Sequence, residues 1–234
     1  MDAELLALLR RVDTPTVCNA IEVVQGGRGF ADFTRRPVTS SDPAAGAMVG
    51  YARCAVLESR APASEDAETL RARRLAYYRY MSEGSRPAVC VTADADAPGA
   101  PGAFWGEVNT TIHAAFGIAG AITSGPMRDL GSLAEGFVVL AAEVLPSHAF
   151  VRVRDVDVPV EVFGLRISPG DLVHADRHGA VVIPEPVVDE IGSGIARLLE
   201  MEGLVLGSAR REGFDFGALE AAWLEFERAR ASRS

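Results

Sequence analysis

An α/β fold is predicted for this chain from three observations. Apolar runs of strand length alternate with stretches of helical character along the whole sequence. At 234 residues and 48% hydrophobic content the chain can bury a sizeable core. No internal repeat or clear domain linker interrupts the alternation.

The elements follow in order. Residues 2–11 read as an amphipathic helix, and Thr14-Pro15 starts a second through TVCNAIEVV, with proline at the first helical position, where no N–H is needed. The N-terminal helices thus occupy 2–24, and QGGRG (25–29) is a loop. GAMVGYARCAVL (46–57) reads as an apolar strand, and 63–84 as a helix with a charged first turn. PAVCVTADAD (87–96) is a strand running into the Ala-Pro-Gly loop 97–103, a place where ligands often sit. Residues 108–116 have the length of a short helix that Gly117 can end, AGAITS (119–124) reads as a buried strand, and Gly125-Pro126 turns the chain. A helix is expected at 130–135 and a strand at 137–145. Polar and apolar residues then alternate in RVRDVDVPVEV (152–162), as in strands with one wet face. Pro169-Gly170-Asp171 is a turn, followed by strand LVHA, turn DRHG and strand AVVIP (180–184). Helices are expected at 185–204 and 216–231. The organisation predicted is one α/β domain over 1–205 with a C-terminal helical extension over 206–234.

Composition narrows the chemistry. The 32 acidic and 23 basic residues give a net charge of −9 without a long basic run, which argues against nonspecific nucleic-acid binding. No apolar stretch is long enough to span a bilayer, and MDAELLALLRR lacks a cleavage-type signal, so a cytoplasmic location and no membrane partner are expected. Cys18, Cys54 and Cys90 are widely spaced and odd in number, a pattern of reduced, buried thiols rather than a disulfide framework or zinc site. Every Lys/Arg position is arginine. Schiff-base catalysis, lysine-bound pyridoxal phosphate and a P-loop lysine are therefore excluded.

Residues 106–129, GEVNTTIHAAFGIAGAITSGPMRD, have the layout of a small metal and carboxylate site. Glu107 is separated by twenty residues from the adjacent pair Arg128-Asp129, and a helix, a return strand and a turn would bring the two ends together. Backbone N–H groups at the helix start, around Gly106, Val108 and Asn109, would be unpaired and slightly positive, a seat for an anion. Arg128 offers a planar fork matched to a carboxylate. Asp129 and Glu107 offer hard oxygen ligands suited to Mg2+ or Mn2+.

This block resembles the family that contains the divalent-metal 4-hydroxy-4-methyl-2-oxoglutarate aldolases, related oxaloacetate decarboxylases and the regulator of ribonuclease activity A. That family carries an acidic residue, twenty intervening residues and Arg-Asp within a similar helix-strand-loop. ISPGDLVHADRHGAVVIP (167–184) is similar to its later PGD…AD..G…P segment and DTPTVCNAI (13–21) to its start, so the resemblance covers about 13–190. Glu107 stands where members often have Asp, and Ser124-Gly125 where they often have Asp-Gly. The resemblance implies a layered β/β/α domain with helical N- and C-terminal extensions. It also implies a homotrimer or hexamer with sites near subunit interfaces.

The expected activity is metal-assisted carbon–carbon cleavage of a small 2-oxo acid, by aldol cleavage or decarboxylation, through a pyruvate enolate. Arg128 and the helix-start amides would hold the substrate carboxylate, and Asp129 with Glu107 would hold the ion. His148 and His178, in loops, are weaker candidates for general acid or base. Glu200 and Glu202 are weaker candidates for a ligand reaching a neighbouring subunit. His113 is expected to be packed rather than catalytic, and Asp176 to cap its turn. A non-catalytic, protein-binding regulator on the same scaffold is the alternative; methyl transfer carries little weight without a glycine-rich S-adenosylmethionine loop.

Overall fold

The computed structural model describes residues 1–231, so the last three positions of the expected C-terminal extension lie outside the described residues. The chain opens with α1 (Ala3–Leu9) and α2 (Thr14–Gln25). The alternating core follows: β1 (Thr39–Ser40), β2 (Met48–Glu58), α3 (Ala67–Ser82), β3 (Ala88–Asp94), α4 (Glu107–Ala115), β4 (Ile118–Thr123) and β5 (Val138–Ala141). Five strands come next, β6 (Arg152–Val156), β7 (Val160–Val162), β8 (Leu165–Ile167), β9 (Leu172–Asp176) and β10 (Gly179–Ile183). α5 (Ile191–Ala209) and α6 (Phe216–Ala231) finish the described chain. Aspartates set three helix starts: Asp2, Asp13 and Asp66 accept the N–H of Leu5, Thr16 and Thr69 at 2.7, 2.9 and 2.8 Å. Each such cap satisfies an amide donor that the helix start would otherwise leave unpaired.

One mixed sheet runs β1-β5-β4-β3-β2-β9-β10, with β6 paired to the far part of β2. β2 to β5 are mutually parallel, and β1, β6, β9 and β10 pair antiparallel to their neighbours. A separate hairpin, β7-β8, lies over one face. β3 shows why both faces are covered. Val89 and Val91 point into a cluster with Val160, Val162, Leu165 and Ile167 of the hairpin. Ala88 and Cys90, on the opposite face, pack with Tyr77 and Met81 of α3 and with Trp105. The result is the layered β/β/α arrangement expected, with the N-terminal helices and α5 forming a third cluster against β9 and β10. Close strand approach is built in at Gly50, where a Cβ would sit 2.8 Å from the backbone of Ala88.

Three expectations need correction. Residues 130–135 form turns and bends, not a helix. Gly131 interrupts the segment, and its polar groups are satisfied otherwise: Ser132 N–H donates to Asp129 C=O at 2.8 Å and Ala134 N–H to Thr110 Oγ1 at 3.0 Å. The strand expected at 137–145 ends at Ala141, beyond which only Val144 pairs, in an isolated bridge to Met127. The 185–204 helix begins later, at Ile191 after a 3-10 turn, and continues to Ala209, so α5 crosses the expected boundary at 205. In α6, Leu219 and Phe226 are partly buried, while Trp223 and Leu224 stay about half exposed.

The three cysteines are free, and burial pushes the thiols up, Cys18 to about 11 and Cys90 to about 12. Cys90 ends a directed chain of hydrogen bonds behind α4. His113 Nδ1 lies 2.6 Å from the Asn109 carbonyl, which can only accept. That nitrogen therefore carries the proton, and Tyr77 O–H donates to Nε2 at 2.8 Å. The Cys90 thiol is left to donate to the Tyr77 oxygen at 3.6 Å. Trp105 and Phe137 pack around the imidazole, and burial lowers its pKa to about 4. His174, fully buried between Thr14 Oγ1 and the Leu9 carbonyl, is also lowered, chiefly by burial.

A depressed histidine contributes stability that is complete above the unfolded pKa of about 6.5 and is lost as pH falls towards the folded value. His113 alone should cost roughly 3 kcal/mol of unfolding free energy between about pH 6.5 and its folded pKa of about 4. Urea denaturation across this range should show the decline, with a smaller slope in His113→Asn. An unchanged slope in that variant would remove His113 from the acid response.

Candidate active site

The two ends of the 106–129 block lie beyond the carboxyl ends of β3, β4 and β5, where open α/β sheets present ligand crevices. β4 is prolonged past its last regular residue by Met127, which bridges Trp105 on one side and Val144 on the other. Met127 N–H donates to Glu143 C=O at 2.9 Å, Leu145 N–H donates to Met127 C=O at 3.0 Å, and Arg128 N–H donates to Trp105 C=O at 2.8 Å. Met127 and Trp105 are fully buried. The pair Arg128-Asp129 is thereby fixed at the point where the sheet ends.

Asp129 adopts φ 57°, in the left-handed region that an Asp tolerates better than most residues. This turn directs its carboxylate to the start of α4, where Oδ2 accepts the N–H of Glu107 at 3.2 Å. Gly106 makes the approach possible. A Cβ there would lie 2.5 Å from Asp129 Oδ2, 3.1 Å from Arg128 Cγ and 3.2 Å from Arg128 Nε. The Arg128 Nε is 3.7 Å from Asp129 Oδ2 and, although buried, has no hydrogen-bond acceptor. A guanidinium held in this way calls for an external acceptor.

The structure thus brings together the two ends of the block that sequence spacing paired, but it redistributes their tasks. The Glu107 amide is taken by Asp129, while the Glu107 carboxylate is exposed and makes no hydrogen bond or ion pair among the described residues. The N–H groups of Val108 and Asn109 precede the first intrahelical bond, from Thr110 N–H to Gly106 C=O at 3.0 Å. The Asn109 side chain is structural: its amide donates to Phe104 C=O at 2.7 Å, and its oxygen accepts from Tyr78 O–H at 2.8 Å. Thr110, fully buried, ties the helix start to the 130–134 loop.

The remaining candidates lie elsewhere in the chain. His148 is exposed in the loop after β5, with Nδ1 against its neighbour's carbonyl, Ala149 C=O, at 2.8 Å. His178 sits in the β9–β10 turn, beside the start of β2 and thus at the opposite end of the sheet from Asp129. Its Nδ1 contacts Asp176 Oδ1 at 3.1 Å. Asp176 caps this turn as expected: burial pushes its carboxyl up, but the N–H groups of Thr14 and His178 outweigh that and hold it below its ordinary value. Glu200 and Glu202 are on α5, which packs against α1, α2 and α6.

Sequence reasoning missed Asp94. It ends β3, is 5% exposed, and accepts from Ser59 Oγ at 3.0 Å and from Asp96 N–H at 2.9 Å. Burial raises its pKa. Ser124, the departure noted above, accepts the Asp94 N–H at 2.9 Å and so ties the ends of β3 and β4. An acidic residue closing an otherwise apolar strand, PAVCVTAD, was the available signal.

The model of the RraA-like family, described as Aldolase/RraA, matches residues 14–182. A 4-hydroxy-4-methyl-2-oxoglutarate aldolase of Thermus thermophilus is 38% identical over 73 residues, 30% of this chain and 44% of that protein. Protein DlpA of Legionella pneumophila is 26% identical over 136 residues, 55% of this chain and 22% of that one. The chain spans about half or less of the length of the curated relatives it matches. Among solved structures, an uncharacterized protein of Pseudomonas syringae superposes with TM-score 0.71 at 21% identity, covering 96% of this chain and 95% of that one. Streptomyces coelicolor RraAS2, described as an unusual member of the RNase ES inhibitor RraA family, superposes with TM-score 0.66 at 25% identity, covering 90% and 98%.

If Gly106 is required by close approach, Gly106→Ala should destabilise the protein by about 1–3 kcal/mol, whereas Gly131→Ala should stay within about 0.5 kcal/mol. A Cβ at Gly131 meets nothing within 4 Å. Chemical denaturation of the two variants checks this, and equal effects would contradict the crowding at Gly106.

Proposed function

The chain belongs to the RraA-like family, and from that premise we propose that it is a divalent-metal-dependent carbon–carbon lyase acting on a small 2-oxo acid. The observation that carries this reading is the joint placement of Arg128, with its unsatisfied buried Nε, and Asp129 against the free-amide end of α4. A 2-oxo acid presents a carboxylate next to a carbonyl oxygen. The guanidinium and the Val108 and Asn109 amides suit the carboxylate.

The donor set fits Mg2+ or Mn2+ as a partial shell. Among the described residues Asp129 Oδ1 takes part in no hydrogen bond, and the Glu107 carboxylate is unengaged. No group of three metal-ligating His, Cys, Asp or Glu side chains occurs among the described residues. Magnesium usually retains several waters, so two carboxylates completed by water and substrate oxygens meet its requirement. A bound divalent ion supplies positive charge against the oxygen that becomes an enolate as the carbon–carbon bond breaks. Arg128 orients the substrate by its carboxylate, and the buried floor of Trp105 and Met127 limits water on one side of it. With no lysine in the chain, amine catalysis cannot replace this route.

The same reading includes a homotrimer or a trimer-based hexamer with sites at subunit contacts. Val108, Leu130, Val144 and Phe150 support it, since these exposed apolar side chains come from α4 and the loops beside the site. They favour the second reading too, a protein-binding regulator, as does the likeness to the Streptomyces protein. No helix among the described residues is long and apolar enough to cross a membrane.

Pyruvate release should be measured across a panel of 2-oxo acids. Turnover should vanish with a chelator and return with Mg2+ or Mn2+, and borohydride with substrate should trap no adduct. Arg128→Lys should lose about 100-fold or more in kcat/KM, because a point charge cannot reproduce a bidentate grip. Full turnover after exhaustive demetallation would overturn the metal mechanism. Absence of pyruvate with every acid and ion tested would favour the regulator.

A further inference from the structure

α3 and α6 present two exposed helix faces of opposite charge. In α3 the buried Tyr77 and Met81 mark the inner side, so the outer side carries Arg71, Leu75 and Arg79, with Arg74 at its flank. All four side chains are exposed. The guanidinium groups of Arg71, Arg74 and Arg79 make no hydrogen bond or ion pair among the described residues, whereas that of Arg73 is taken by Glu65 at 2.9 Å. Glu68 is the only acidic residue of this helix, so the face is net positive.

α6 is the reverse. The buried Ala222 marks its inner side, and its outer side carries Glu220, Leu224 and Glu227, flanked by Trp223 and Arg228. Glu225 is exposed as well, so three carboxylates face one guanidinium and the surface is net negative. The carboxylates of Glu220 and Glu225 are unengaged among the described residues, and Glu227 Oε1 accepts the indole N–H of Trp223 at 3.0 Å. Neither face meets its complement in its own chain, because α3 lies over β2 and β6 while α6 lies over α5.

We propose that α6 of one copy of this chain docks on α3 of a second copy, acidic face to basic face, in a head-to-tail contact. Copies of net charge −9 repel one another unless a basic face meets an acidic one, and α3 supplies the basic face. Both helices have 16 residues and are about 24 Å long, so the two rows can run alongside over their full length. Leu75 and Leu224 each stand near the middle of their row, which gives the contact an apolar centre within a charged rim. Trp223 adds a ring face for an arginine of the second copy. Two different surfaces meet here, so the contact is heterologous and builds a ring where its rotation closes. Tyr78 O–H donates to Asn109 Oδ1 at 2.8 Å, which fastens α3 to α4, so the docked copy lies beside the helix that opens the candidate site. The proposal rests on the homo-oligomer put forward with the lyase reading, and not on its chemistry.

Sedimentation of the full chain at micromolar concentrations tests it, and the parent should be an oligomer. The double variants Arg71→Glu/Arg79→Glu and Glu220→Arg/Glu227→Arg should each weaken association by at least about 100-fold, because like charges then face each other. With all four substitutions in one chain the complementarity returns in reverse, and association should recover to within about tenfold of the parent. Circular dichroism should show every variant folded, since each changed side chain is exposed. A monomeric parent would overturn the contact and the homo-oligomer together, with pyruvate release still a separate measure of the lyase. An oligomer indifferent to both reversals would overturn the contact alone. So would a loss on reversing one helix that reversing the other fails to repair, since that helix then pairs with some other surface.

Discussion

A strand that is apolar on both faces must be covered twice, and β3 imposes this constraint on the whole molecule. Its alternating Val89/Val91 and Ala88/Cys90 faces need the β7-β8 hairpin on one side and α3 with Trp105 on the other. Parallel pairing on both edges, to β2 and β4, makes crossover connections obligatory, and α3 and α4 are those connections. Once α4 must return the chain to the start of β4, its own N-terminus is left near the end where β3 and β4 finish. The meeting of Gly106, Glu107 and Asp129 is thus a consequence of how the core is covered.

The candidate site concentrates features that would be costly without a ligand. Asp129 is in a left-handed conformation, Arg128 has a buried nitrogen without an acceptor, and Gly106 gives up a side chain. Each opposes stability locally, and the bridge of buried Met127 to Trp105 and Val144 holds the arrangement together. Strain and incomplete hydrogen bonding supported by a packed surround single this place out as a candidate functional position.

The parallel core was legible because its strands are apolar runs punctuated by Gly and Pro, and the site because spacing returns Glu107 and Asp129 to one end of a helix-strand unit. What failed has physical causes. Residues 130–135 contain helix formers, yet their amide groups find partners in Asp129 and Thr110, contacts that local periodicity cannot register. α5 runs past the expected end at 204 because packing against α2 and α6, which local sequence cannot register, carries the helix to Ala209. His178 looked available in a loop, but antiparallel pairing of β9 with β2 sends its turn to the other end of the sheet. Asp94 escaped notice because a carboxylate at a strand end is ordinary until its burial is known.

The Cys90–Tyr77–His113–Asn109 chain admits only one direction of donation, set by a carbonyl at one end. α4 therefore cannot rotate or slide without orphaning a buried donor inside an aromatic shell. Its first-turn amides are set when the protein folds, so a ligand arriving there loses little entropy in ordering them.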